Sequence, residues 1–226
     1  MKKENLYQKL LFLKEEILQR NLNHYLVRFK NEHLEEFANN LCSFDGDEEF
    51  LNKFNLPFFD EEFKIDRSES FKEFLFLFNE EQSENALRIQ KTKMEDFLIV
   101  LGQRLTSASV RNEKAIPPLD NDLFIASFQL YNSQISKAVR AFEKHSERFE
   151  KNFWGKVKGN PKQKEGKVRE ILKFVFEHKT WWNVYYHFQH ELVYEIRVAS
   201  GHGVRWKMSN LDFIGFVEPF LNSENI

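Results

Sequence analysis

The stretch 193-VYEIRVASGHGVRWKM-208 decides the fold class, because the hydrophobic period changes there. Tyr194, Ile196 and Val198 alternate with Glu195 and Arg197; Val204, Trp206 and Met208 alternate with Arg205 and Lys207. A period of two on both sides of Gly-His-Gly predicts an antiparallel hairpin with a glycine-rich turn. The next segment, 212-DFIGFVEP-219, predicts a third strand. Upstream the period is helical. Of eight glycines only Gly46 and Gly102 precede residue 155. From Leu6 through Leu10, Leu13 and Ile17 to Phe37 and Leu41 the spacing predicts one long helix or two, broken near 21–23. A second helical stretch is expected over about 70–105, with a break near 83–85. The segment 113-EKAIPPLDND-122 carries two prolines and cap-forming Asp and Asn, and so ends it. A third helix is expected over about 122–153 and a fourth over about 167–179. The expected fold is mainly α: a bundle of about four long helices with a small C-terminal antiparallel β-hairpin or three-stranded sheet. It forms one domain over 1–226, with an acidic helical half, 1–115, and a basic half, 120–226.

Composition bounds the function. Hydrophobic residues at 42% and charged residues at 30% describe a soluble globular chain, and 25 Phe predict a core built from rings. The single cysteine, Cys42, excludes an intrachain disulfide and a Cys-based zinc site, and fits a reducing, cytoplasmic compartment. No apolar run approaches the ~18 residues of a membrane span, so no membrane partner is expected. The net charge of −2 hides an asymmetry. Residues 1–90 carry 12 Lys and Arg against 19 Asp and Glu; residues 91–226 carry 21 against 16. The halves either neutralise each other or leave a basic face for an anionic partner.

Within 134-QISKAVRAFEKHSERFEKNFWGKVKGN-160, helical spacing gathers Ile135, Val139, Phe142, Phe149 and Phe153 on one side. Lys137, Arg140, Lys144 and Arg148 form a cationic stripe, and His145 lies between the two. Paired with Glu143 and Glu147 the stripe is a solvated face; unpaired, it faces an anion, with His145 placed as an acid or base. The hairpin repeats this chemistry. Glu195, Arg197, Arg205 and Lys207 should share one face, and His202 sits in a turn whose glycines let backbone N–H groups approach a ligand. Trp181 and Trp182, in 180-TWWNVYY-186, are core residues or a stacking wall for a planar ligand. His187 and His190 make only a weak His-x-x-His pair, and no metal or cofactor is assigned. Between Lys156 and Arg169, six Lys or Arg stand against one Glu, as a solvated loop or a phosphate contact. Two cationic patches brought together need an anion, or Glu195 and Glu218, between them.

Two resemblances bear on this. Arg-x4-His occurs at Arg28–His33, Arg140–His145 and Arg197–His202, and is similar to the Arg-x4–6-His motif of the helical HEPN-type ribonucleases. That similarity implies a cation and an imidazole acting on an RNA phosphate and 2′-OH. The segment from about Arg140 to Pro219, with "RAFEKHSER", "FWGKVKGN", "WWNV" and "YEIRVASGHGVRW", resembles the C-terminal part of a widespread uncharacterised family, which implies that helix, aromatic segment and hairpin work as one unit.

The function expected from these residues is binding of a phosphate-bearing ligand, a nucleotide or RNA, by Arg140, Lys144, Arg148, Trp181, Trp182, Glu195, Arg197 and Arg205. His145 and His202 are the candidate catalysts for phosphodiester or phosphoryl chemistry. The alternative is a non-enzymatic module that docks a protein partner.

Overall fold

The period change at 193–208 is real, and the sheet it announces is larger than a hairpin. A computed structural model describes residues 2–45, 47–79, 88–146, 153–156, 158–189 and 191–220. They form helices α1 (Lys3–Gln19), α2 (Asn31–Phe44), α3 (Arg67–Asn79), α4 (Met94–Val100), α5 (Asp120–Ser127), α6 (Lys137–Ser146) and α7 (Pro161–Glu177). Strands β1 (Lys179–His187), β2 (Glu191–Val198), β3 (Gly203–Lys207) and β4 (Phe213–Val217) follow. The fold is therefore mixed: helices dominate, but there are more than four of them, and the sheet has four strands.

The chain packs as two units. The first comprises Met1–Asn55, Phe63–Arg104 and Val110–Ile116; the second comprises Leu56–Glu62, Leu105–Ser109 and everything from Pro117 on. The main division falls in the two-proline segment. In the first unit the expected break after α1 is found: Asn21 takes a positive φ of 51° and the Leu22 N–H closes back on the Ile17 carbonyl. Its core is the predicted cluster of rings. Phe37 stacks on Phe97 at 4.1 Å, and Phe74 meets Phe37 edge-on at 5.0 Å. The break expected near 83–85 lies outside the described residues.

The second unit is an antiparallel meander, β1-β2-β3-β4, with helices on one face. Glu195 pairs with Asn183 on one side and Arg205 on the other; Tyr194 pairs with Val184 and Trp206. Alternation therefore sends Tyr194, Ile196 and Trp206 to the helical face, where α7 packs on β2 and α6 on β4. The opposite face carries Trp181, Asn183, Tyr185, Glu195, Arg197 and Arg205. It too is covered, so β2 is buried from Val193 to Val198. Short segments from the N-terminal half close the β1 edge: the Tyr186 N–H donates to the Ala108 carbonyl, and the Asn183 amide donates to Ser109 Oγ at 2.7 Å.

Two expectations fail here for local reasons. The helix expected over 122–153 is two helices, because the Asn132 side chain accepts from the Gln134 and Ile135 N–H groups and so replaces the helical bonds with a turn. The fourth helix begins earlier than expected. Asn160 caps it, Pro161 fills its first turn, and Gln163 returns the capping bond. It ends at Glu177, and the aromatic segment that follows is strand β1.

Candidate active site

The turn between β2 and β3 and the end of β4 meet the C-terminal end of α6, all within the second unit. Gly201 makes this possible. Its φ is 86°, and a Cβ there would lie 2.9 Å from Pro219 Cβ. Glycine thus lets the chain after β4 lie against the turn, which brings Glu218 beside His202.

The Glu218 carboxylate holds two imidazoles. One oxygen accepts from Nε2 of His145, and the other lies 3.2 Å from Nε2 of His202. A carboxylate only accepts, so both Nε2 atoms carry hydrogen. The His202 Nδ1 is then left with its lone pair, and it lies 3.1 Å from the Ser200 hydroxyl. The ring is wedged: Phe153 stacks on it at 3.9 Å and Trp154 meets it edge-on at 5.5 Å. Burial pushes the His202 pKa below its ordinary value. The Glu218 charge and hydrogen bond oppose that, while Arg197 and His145 add to it. His145, 7% exposed, ends the buried stripe of α6, and Glu218 is the most open of the three side chains.

The charged face of the hairpin is not wet. Glu195 is fully buried and Arg197 is 4% exposed. The Glu195 carboxylate accepts from Arg197 Nε at 2.6 Å, from Arg205 Nε at 2.5 Å and from the Tyr185 hydroxyl at 2.6 Å. Burial alone would raise the Glu195 pKa; the two guanidinium charges and the hydrogen bonds hold it below the usual carboxylate value. Burial and the Glu195 charge push the Tyr185 hydroxyl above its ordinary value. Glu195 is thus the counter-charge of the hairpin's own arginines, and Glu218 contacts the two imidazoles.

The other expected site residues fall elsewhere. Arg140 lies five residues from His145 and so on another side of the helix, with its guanidinium 5.8 Å from the Tyr131 ring. Lys144 is exposed, and Arg148 lies outside the described residues. Trp181 and Trp182, 1% and 5% exposed, are interior rings on opposite faces of the sheet rather than a stacking wall. His187 ends β1 instead of lying on a helical turn, and His190 is outside the described residues. Of the three Arg-x4-His pairs, Arg28–His33 is in the first unit, with Arg28 3.7 Å from Glu113. Arg197–His202 spans a hairpin, not a helix. Ser200 and Tyr185 had no signal in the sequence beyond their residue types.

Residues 126–218, less than half of the chain, match the model of the family described as CdiA C-terminal tRNase toxin domain. The stretch read as resembling an uncharacterised family, 140–219, lies almost wholly inside that match, so the similarity is to a nuclease toxin family. Neither curated proteins nor solved structures give a significant match. No helix among the described residues is long and apolar enough to cross a membrane.

Proposed function

We propose that the chain is an RNA-cleaving enzyme whose centre is His202, Glu218 and His145. The observation that carries this is the shared carboxylate: Glu218 fixes two imidazoles at once and leaves Nδ1 of one of them facing a hydroxyl position. That is the carboxylate–imidazole–hydroxyl chain of general-base catalysis. A ribose 2′-OH takes the place now held by the Ser200 hydroxyl and gives its proton to His202 Nδ1. The 2′-oxygen attacks phosphorus, the bond from phosphorus to the 5′-oxygen breaks, and the imidazolium of His145 protonates that oxygen. The products are a 2′,3′-cyclic phosphate and a 5′-OH. Glu218 holds both rings and shares the charge that passes between them. Lys144, Lys156, Lys158 and Lys162 meet the phosphate backbone. The similarity over 126–218 makes tRNA the substrate to try first.

The test is cleavage of tRNA and of short RNAs with a 2′-deoxy residue at the cut site. Cyclic-phosphate ends are expected, with no cut at the deoxy position. His202→Ala, His145→Ala and Glu218→Gln should each lower the rate at least ~100-fold with the fold intact. Full activity in His202→Ala, or cleavage at the deoxy site, would overturn the assignment. The same Ser200–His202–Glu218 chain also suits a serine nucleophile. Loss of activity in Ser200→Ala, with a phosphate or acyl group trapped on Ser200 in the wild type, would favour that instead.

A further inference from the structure

We infer that Arg197 is a positioning residue of this centre, acting through the backbone, and not a phosphate ligand. Its Nη1 donates to the Gly201 carbonyl and to the Glu218 carbonyl, both at 2.5 Å. These acceptors belong to the two pieces of chain that supply the centre: the turn that carries His202, and the segment that carries Glu218. One nitrogen therefore ties the base to its orienting carboxylate.

The rest of the side chain is held so that this nitrogen has one place to be. Nε is bound to Glu195, whose other oxygen is held by Arg205 and Tyr185. The Phe220 ring lies 3.8 Å from the guanidinium and the Trp181 ring 5.9 Å. The stem crosses Gly203, its partner on β3, where a Cβ would stand 2.7 Å from Arg197 Cγ. A fully buried carboxylate between two guanidiniums is a costly device for stability alone, since an apolar pair of similar volume often does as well. Here it fixes a rigid planar fork, with Nε on Glu195 and Nη1 on the two carbonyls, a two-nitrogen geometry that a lysine with one terminal nitrogen cannot reproduce. Burial also removes Arg197 from any substrate phosphate.

This inference rests on the proposed function for its kinetic readout but not for its structural one. In Arg197→Lys the charge is kept and the fork is lost. The expected result is at least a tenfold fall in kcat for RNA with KM within twofold, and a displaced titration of the His202 Cε1 proton by NMR. A KM that rises with kcat unchanged would make Arg197 a phosphate ligand and overturn the proposal. Unchanged kcat and an unchanged His202 titration in the folded variant would also overturn it. If Arg197→Lys does not fold, Phe220→Ala uncovers the guanidinium without removing a donor; a fall in kcat of about threefold at constant KM supports the clamp, and no change in either constant refutes it. If the wild type cleaves no RNA, the proposed function fails, and the NMR titration still decides the clamp.

Discussion

His202 draws its chemistry from what surrounds it rather than from its own pKa. Burial is the largest influence and disfavours the imidazolium; Glu218 works against it, and Arg197 and His145 reinforce it. The net shift is downward, so the ring stays neutral, and able to accept a proton, at pH values where an ordinary histidine is already protonated. The sign for activity follows. A base with a lowered pKa keeps working as pH falls, so the acid limb of kcat/KM for RNA should have its midpoint below 6.5. A pH–rate profile over about pH 5 to 8 checks this; a midpoint above 6.5 would assign the limb to another group. Stability has the matching sign. Below pH 6.5 the unfolded chain takes up a proton that the folded His202 resists, so this residue's contribution is lost as pH falls from there to the folded value.

At the scale of elements, α7 shows what local chemistry alone can fix. Asn160 accepts from the Gln163 N–H and Gln163 returns a bond to the Asn160 N–H, each at 3.0 Å, in an exposed first turn far in sequence from the proposed catalytic groups. Asn160→Ala should lower stability by about 1 kcal/mol, as loss of a cap usually does, and leave kcat for RNA unchanged. Denaturant unfolding beside an RNA-cleavage assay measures both. The Asn-Pro-Lys-Gln run at 160–163 is a local signal for the start of α7, but the Lys-rich composition of 156–169 reads equally well as a loop, and the expected start at about 167 follows from that loop reading. Strand β1 was hidden for a different reason. Trp181, Trp182, Val184 and Tyr185 form an almost continuous apolar run, in which Trp181 and Trp182 are both buried although they lie on opposite faces, so no alternation marks it. The hairpin itself was legible because Gly201 and Gly203 sit where a positive φ and a crossing side chain require them. The candidate site was half legible. His145 and His202 carry their chemistry in their residue type, whereas the burial of Glu195 and the approach of Glu218 depend on long-range pairing, which no local pattern encodes.

At the scale of the whole molecule, the charge asymmetry of the sequence turns out to be a poor guide to where RNA would bind. The second unit carries sixteen Lys and Arg and sixteen Asp and Glu, because Asp60, Glu61 and Glu62 join it from the N-terminal half. A neutral sum supplies no long-range attraction, so any attraction must come from local segregation. Much of the basic run is already spent on ion pairs: Lys164 binds Glu143 at 2.7 Å, Lys167 binds Glu170 at 3.2 Å, and Arg169 binds Glu165 at 2.8 Å. Lys156, Lys158 and Lys162 remain exposed and pair with no carboxylate among the described residues. They follow directly on Phe153 and Trp154, which pack on His202. These three lysines should therefore hold the RNA backbone beside the centre without touching the reacting atoms. Replacing all three with Gln should raise KM for RNA and leave kcat unchanged, since uniform binding is lost while proton transfer is not. Each phosphate contact on a single strand contributes about 0.7 to the slope of log affinity against log salt, so the triple variant should lose about 2 from that slope. Filter-binding or anisotropy titrations over a range of salt concentrations measure it. A slope equal to wild type would move the RNA path off this face, toward Lys144 and the C-terminal end of α6.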